Sequence, residues 1–231
     1  MKIYVEHDAA TLKLLGISDD PACDGIIVRH GAPNEILAST NRSNPLGDGW
    51  LADVTSPGDT IVSWSGTLAK ELFESNPMTW LKTGVETFTA FCDEVASQLE
   101  KHGKTICFHP HSRHVLNDPP SCLAFTKDRQ GPFGFALAPA ELFEPSMIDD
   151  VDDHLTRIFE TMGAKCSMVI LHDIQGPDHG DQEGACEAVP LGQGIMPRSH
   201  VLKLIDSWVP DDTPIVLMAG PMEEQLSWLA T

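Results

Sequence analysis

The hydrophobic positions of this chain fall into short runs separated by polar turns and by stretches of helical period. The runs lie at residues 3–6, 25–28, 50–54, 60–64, 105–108, 134–138, 168–171 and 215–218. Several are continuously apolar rather than alternating, the pattern of strands buried on both faces of a parallel sheet. Between the later runs the period changes. Leu81, Val85, Phe88, Cys92, Val95 and Leu99 step by three and four and predict one helical stripe. Asn76 before Pro77 marks its start and Gly103 its end. A second helix is expected over 147–162, with Ile148, Val151, Leu155, Ile158 and Met162 on one face, Ser146 as cap and Gly163 as stop. A third begins near Pro197 and carries Val201, Leu202, Leu204, Ile205 and Trp208, and a last one covers 222–229.

Strands alternating with helices predict an α/β fold, and eight candidate strands point to a (β/α)8 TIM-type barrel. An open doubly wound sheet is the alternative. At 231 residues the barrel is short. Its first half is irregular: residues 11–15 and 34–39 read as short helices, and between Val54 and Thr60 there is room only for a turn. The barrel is therefore expected to be trimmed or distorted around its third helix. No repeat, low-complexity tract or linker divides the chain, so residues 1–231 read as a single domain.

The chemistry gathers at the predicted strand ends, where parallel α/β barrels place their active sites. The first strand ends in Glu6-His7-Asp8 and the second in Arg29-His30. The fifth ends in His109-Pro110-His111, with Arg113 and His114 just beyond. The sixth leads to Glu141, and the seventh ends in His172-Asp173, whose loop carries Asp178, His179 and Asp181. Imidazoles at a strand end can shuttle protons, ligate a metal or hold a polar ligand. The blander readings are a polar turn at Glu6-His7-Asp8, a turn cap at His30, a surface carboxylate at Glu141 and a solvated loop at 178–181. The loop Pro190-Leu-Gly-Gln-Gly194 precedes the helix at Pro197, and its glycines allow close backbone approach to a ligand. Its alternative is a structural turn.

Composition narrows the function. The 34 acidic and 15 basic residues give a net charge of −19, which opposes nucleic-acid binding. The six cysteines form no Cys-x-x-Cys pair, which argues for a reducing compartment. No apolar run approaches the roughly 18 residues of a membrane span, and Met-Lys-Ile-Tyr-Val-Glu-His-Asp becomes charged too early for a secretion signal. A cytoplasmic location is expected.

Residues 78 to 220 resemble the xylose-isomerase-like barrels, a superfamily of sugar phosphate isomerases and epimerases, inosose dehydratases and metal-dependent apurinic endonucleases. His109-Pro-His111 resembles the family's fifth-strand end, and Gly134-Phe-Ala-Leu-Ala-Pro-Ala-Glu-Leu142 its sixth strand and loop. Val169-Ile-Leu-His-Asp173 resembles its Val-His-Leu-Lys-Asp seventh strand, and Pro190-Leu-Gly-Gln-Gly194 its Pro-Leu-Gly-Glu-Gly turn. The resemblance implies a divalent metal held by acidic and histidine ligands. This chain departs there: Ala138 and Glu141 stand for the sixth-strand Asp and His, Ile170 for the seventh-strand His, and Met218-Ala219 for the terminal Glu. The family ligands are thus largely absent, and any metal would have to use His109, His111, Glu141 and His172.

The expected function is that of a sugar or sugar-phosphate isomerase or epimerase. His109, His111, His172 and Glu141 are its candidate catalytic residues, and His7, His30, Arg113, Asp173, Gly192 and Gly194 would bind substrate. The alternative is a degenerate barrel that binds a small ligand or a protein partner without the metal chemistry. The expected partner is a small-molecule sugar or sugar phosphate, with no nucleic acid and no membrane, in a possible homo-oligomer.

Overall fold

The computed structural model describes residues 2–8, 11, 24–47, 50, 52–129, 131–177 and 186–230. Eight strands close into a barrel: β1 (Ile3–Asp8), β2 (Gly25–Arg29), β3 (Ala32–Asn41), β4 (Thr60–Trp64), β5 (Thr105–His109), β6 (Phe133–Leu137), β7 (Met168–Ile170) and β10 (Ile215–Leu217), in the order β1-β10-β7-β6-β5-β4-β3-β2. A two-stranded antiparallel sheet of β8 (Asp173–Gln175) and β9 (Glu187–Val189) stands beside it. The helices are α1 (Pro77–Trp80), α2 (Lys82–His102), α3 (Pro119–Asp128), α4 (Val151–Met162), α5 (Arg198–Trp208) and α6 (Met222–Leu229). None of the described helices is long and apolar enough to cross a membrane.

Two hydrophobic clusters explain the unbroken apolar runs. Tyr4, Ile27, Ala38, Val62, Cys107, Ala136, Ala138, Met168, Ile170 and Val216 fill the barrel interior. Their neighbours along each strand, among them Ile61, Phe108, Phe135 and Val169, pack outward under the helices. The parallel strands from β4 onward are thus buried on both faces over most of their length. Many interior residues are small because the lumen of an eight-stranded barrel is narrow.

The first half departs from the regular pattern in three ways. β2 runs antiparallel to both β1 and β3, whereas all other barrel pairs are parallel. β1, β2 and β3 therefore form a meander, with His30-Gly31 as the two-residue hairpin loop and Gly31 at φ 75°. Residues 34–39, expected as a helix, belong to β3. Glu35, Leu37 and Ala38 tolerate a helix, but pairing with β2 and β4 overrides that local preference. The strand expected at 50–54 is absent: the described residues there are loop, and Trp50 packs edge-on against Phe91 of α2, ring centroids 4.9 Å apart. Of the short helix expected at 11–15, residues 12–15 lie outside the described residues, as do Cys23 and the 178–181 loop.

The helices follow their signals more closely. Asn76 caps α1 by accepting from the Met78 N–H at 3.0 Å, and Gly103 ends α2 in the left-handed conformation. The buried stripe of α2 starts at Phe88, because Leu81 and Val85 are exposed. Residues 145–150 wind as a 3₁₀ segment before α4, so Ser146 is not the α4 cap.

Past β7 the chain is held by one buried carboxylate. Asp173 Oδ1 accepts from the backbone N–H of Ile174 and of Met196, both at 2.8 Å, and Oδ2 accepts from Gly192 N–H at 3.0 Å. A side chain at Gly194 would collide with Ile174 O and Asp173 Oδ1, at 2.3 and 2.5 Å. The Gly-x-Gly turn is thus shaped to close over Asp173. Losing acceptor capacity there strands buried N–H groups, and bonds to a carboxylate contribute about 1.5–3 kcal/mol each. Asp173→Asn, which turns an amide NH2 towards one of these donors, is expected to lower unfolding free energy by about 2–3 kcal/mol. Urea unfolding measures this, and an unchanged midpoint would refute the latch.

Candidate functional site

The C-terminal ends of the parallel strands surround a cavity of about 320 Å³, lined by Glu6, Asp8, Thr11, Asp24, Arg42, Trp64, His109, Glu141, His172, Met218 and Ala219. Alternation along the strands selects these residues. Glu6 and Asp8 continue the inward face begun by Tyr4, and Arg42 follows Ala38 and Thr40. Trp64 follows Val62, His109 follows Cys107, and His172 follows Ile170. Because β2 is reversed, its beginning, not its end, reaches the mouth, which brings Asp24 there.

An ionic fork sits on one side of the cavity. Arg42 Nε donates to Glu6 Oε1 at 3.2 Å and Nη2 to Glu6 Oε2 at 2.5 Å. Arg42 Nη1 donates to His109 Nδ1 at 2.8 Å. The guanidinium lies 5.0 Å from the Trp64 ring centroid, and Trp64 stacks on His109 with centroids 4.4 Å apart. A guanidinium has only donors, so His109 Nδ1 carries the lone pair and Nε2 the proton. His109 is buried, and burial pushes its imidazole well below the ordinary range, with Arg42 and the neighbouring histidines adding to the effect. It is therefore a neutral donor aimed into the cavity.

Glu141 faces this donor. Its Oε1 lies 3.9 Å from His109 Nε2 and 3.7 Å from His172 Nδ1, and its Oε2 lies 3.8 Å from His111 Nε2. His111 Nδ1 accepts from the Arg113 backbone N–H at 3.0 Å, so its proton also sits on the nitrogen facing Glu141. Burial works to raise the Glu141 carboxyl, but His172, His111 and Arg42 outweigh it and hold the group below its usual range. His109 Nε2 and His172 Nδ1 are buried without a hydrogen-bond partner. Separations of 3.7–3.9 Å are too long for direct bonds but admit one oxygen atom at about 2.8 Å from each partner. The pocket is thus arranged to receive hydroxyl or carbonyl oxygens.

The sequence-derived candidates divide accordingly. His109, His111, His172 and Glu141 converge. His114 joins them from behind: its Nε2 meets Leu72 O at 3.0 Å, its ring stacks on Phe73, and burial lowers it to about 3. His7 alternates with Glu6 and Asp8 and points away from the cavity. His30 lies at the opposite end of the barrel, its N–H bonded to Ile3 O at 2.9 Å, because β2 is antiparallel. Arg113 pairs with Glu144 at 3.0 Å and lines a separate cleft with Trp80, Asn117 and Arg157. Asp173, Gly192 and Gly194 form the latch, whose Gly192 and Met196 N–H groups already serve the Asp173 carboxylate. The sequence places Glu6 and Asp8 at the first strand end without giving them a site role, and it does not single out Asp24, Arg42 or Trp64. Reading 34–39 as a helix hid Arg42, although Ile36, Ala38, Thr40 and Arg42 alternate as a strand face.

A divalent metal, which the resemblance implies, does not fit this donor set. Nε2 of His109 and of His111 both carry protons, and both Glu6 oxygens are engaged by Arg42. Glu141 and His172 retain lone pairs facing one another, while Asp8 Oδ1 and Asp24 Oδ2 accept from the backbone N–H groups of Thr11 and Arg42; a zinc site takes three or four protein ligands. Among the described residues no three His, Cys, Asp or Glu side chains are arranged to hold a metal ion.

No protein-family model matches the sequence, and no curated protein matches it. Solved structures do match the fold. L-ribulose 3-epimerase is 14% identical with a TM-score of 0.54, 84% of this chain covering 66% of that one. The probable 3-DHS dehydratase AsbF of Bacillus anthracis, involved in petrobactin synthesis, is 11% identical with a TM-score of 0.53, 84% of this chain covering 73% of that one. A xylose isomerase domain protein from Planctomyces limnophilus is 12% identical with a TM-score of 0.47, 74% of this chain covering 55% of that one. The chain spans between about half and three quarters of the length of these proteins. Its closed barrel of strands ringed by helices is a TIM-type barrel fold, similar to those of L-ribulose 3-epimerase and the probable 3-DHS dehydratase.

Proposed function

We propose that the barrel mouth binds a small uncharged keto-sugar or related polyol and moves a proton on the carbon beside its carbonyl, an isomerase or epimerase activity. The observation that carries this reading is the ionised Glu141 facing the N–H groups of His109 and His111 and the His172 ring across gaps of one oxygen atom. Proton transfer next to a carbonyl needs a base, an acid, and donors for the oxygen charge that develops. Glu141 is the base that takes the proton from the carbon and returns it, His109 Nε2–H and Arg42 are the donors to the oxygen, and His172 lies beside the Glu141 carboxylate. L-ribulose 3-epimerase, similar in fold, is named for sugar epimerisation.

The lining favours a neutral substrate over a phosphorylated one. Glu6, Asp8, Asp24 and Glu141 outnumber the single Arg42, and like charge in a concave, low-dielectric site repels a phosphate. The latch amides that would have cradled a phosphate are occupied by Asp173.

A second reading, a barrel that binds a polyol without turning it over, is favoured by the depressed Glu141 carboxyl, because a low pKa makes a weak base. Solvent exchange separates the two. With candidate ketoses in deuterium oxide, the enzyme is expected to place deuterium at the carbon beside the carbonyl. Glu141→Gln is expected to slow that exchange by at least about 100-fold. Binding by calorimetry with no exchange for any ketose would leave only the binding role.

The pH dependence follows from the same groups. The base must be deprotonated, and its carboxyl lies below the ordinary value of about 4.3. Exchange is therefore expected to stay level from neutral pH down through pH 5 and to fall only below the usual carboxylate range. His109 and His111, both lowered chiefly by burial, keep their N–H donors facing Glu141, because protonating the other ring nitrogen leaves those protons in place. A kcat/KM profile with an inflection near about 6.5 would assign the base to an imidazole instead.

A further inference from the structure

We propose that Arg42 is the resident cation of this pocket: its guanidinium takes the position between an acidic side chain and an imidazole that a divalent metal would otherwise hold, and it fixes His109 as an N–H donor, so that the site excludes a metal. The proposal concerns the pocket assigned above and deepens that reading.

Three observations converge on it. The guanidinium bridges Glu6 and His109, with two bonds to the carboxylate and one to Nδ1. These are the ligand types a metal would recruit, and both are used up. The group is held in place by the fork and by the Trp64 face, so its charge stands at a set point. Three of its five N–H donors are engaged with described residues, which leaves two for a ligand oxygen in the cavity that Arg42 lines. A lysine could not serve Glu6 and His109 in the same planar geometry.

The choice of tautomer is the less obvious consequence. If Arg42 were absent, either His109 nitrogen could hold the proton. Nε2 could then turn a lone pair towards Glu141 and His172, and Glu6 would face the same space unpaired. The residues for a metal centre would exist. Arg42 alone removes Glu6 and both His109 nitrogens from that set.

The test reads metal binding and ring protonation in the full chain, not turnover. With 15N-labelled histidine, NMR is expected to show wild-type His109 protonated at Nε2, and equimolar Mn2+ is expected to leave the His109 and His172 signals unbroadened. Arg42→Met frees Glu6 and His109 and is expected to bind Mn2+ or Zn2+ at least tenfold more tightly than wild type by calorimetry. That gain is expected to disappear when Glu6→Gln is added. A wild-type protein that takes up one equivalent of metal with broadening of His109, lost in Glu141→Gln, would overturn the proposal. So would a folded Arg42→Met protein with no gain in metal affinity. Wild-type His109 protonated at Nδ1 would overturn it without any variant, which covers the case in which Arg42→Met does not fold. Absence of proton exchange in a metal-free wild type would sink the reaction assigned to the pocket and leave the role of Arg42 standing.

Discussion

Arg42 enters the barrel mouth just past β3 and meets Glu6 of β1 and His109 of β5 at once. Because a guanidinium can only donate, this contact decides where the protons of the neighbouring ring lie. Because it is permanently charged, it neutralises Glu6 and favours the ionised form of Glu141 across the cavity. The N–H that His109 presents to a ligand therefore traces back to one side chain. Glu141 is left as the one lining carboxylate that faces several imidazoles, with His172 beside it.

The contact depends on how the barrel closes. β1, β2 and β3 form a meander where a regular barrel would insert helices, and the reversal of β2 lets β1 and β3 run in the same direction with their ends at the mouth. Glu6 and Arg42 thus reach the same end of the barrel. The same reversal exports His30 to the far end and imports Asp24. A local change of strand direction thus redistributes the charged groups of the site, although the barrel remains closed with eight strands.

Rigidity on the other side comes from Asp173. It holds the loop over 190–196 by accepting backbone N–H groups, and Gly194 permits the approach. In this loop the Gly192 and Met196 N–H donors point to an internal carboxylate. An acidic cavity with one guarded cation and no open amide cradle suits neutral oxygens better than phosphate.

By itself the sequence determined the fold class, seven of the eight barrel strands, the ends of α2, α4, α5 and α6 but not α3, and the cluster of His109, His111, Glu141 and His172. These are properties of short segments: an apolar run buried on two faces, a stripe of period 3.6, a glycine stop, a polar residue directly after a buried strand. Only the tertiary structure decided that 34–39 is a strand, that β2 runs backwards, that His7 faces outward, and that Asp173 with its glycines is a latch. Strand direction, side-chain facing and hydrogen-bond partner depend on residues far apart in the chain. Arg42 and Glu6 are 36 residues apart, and Arg42 and His109 are 67 apart. No local pattern reports such a contact, because its energy exists only once the barrel has brought the three side chains together.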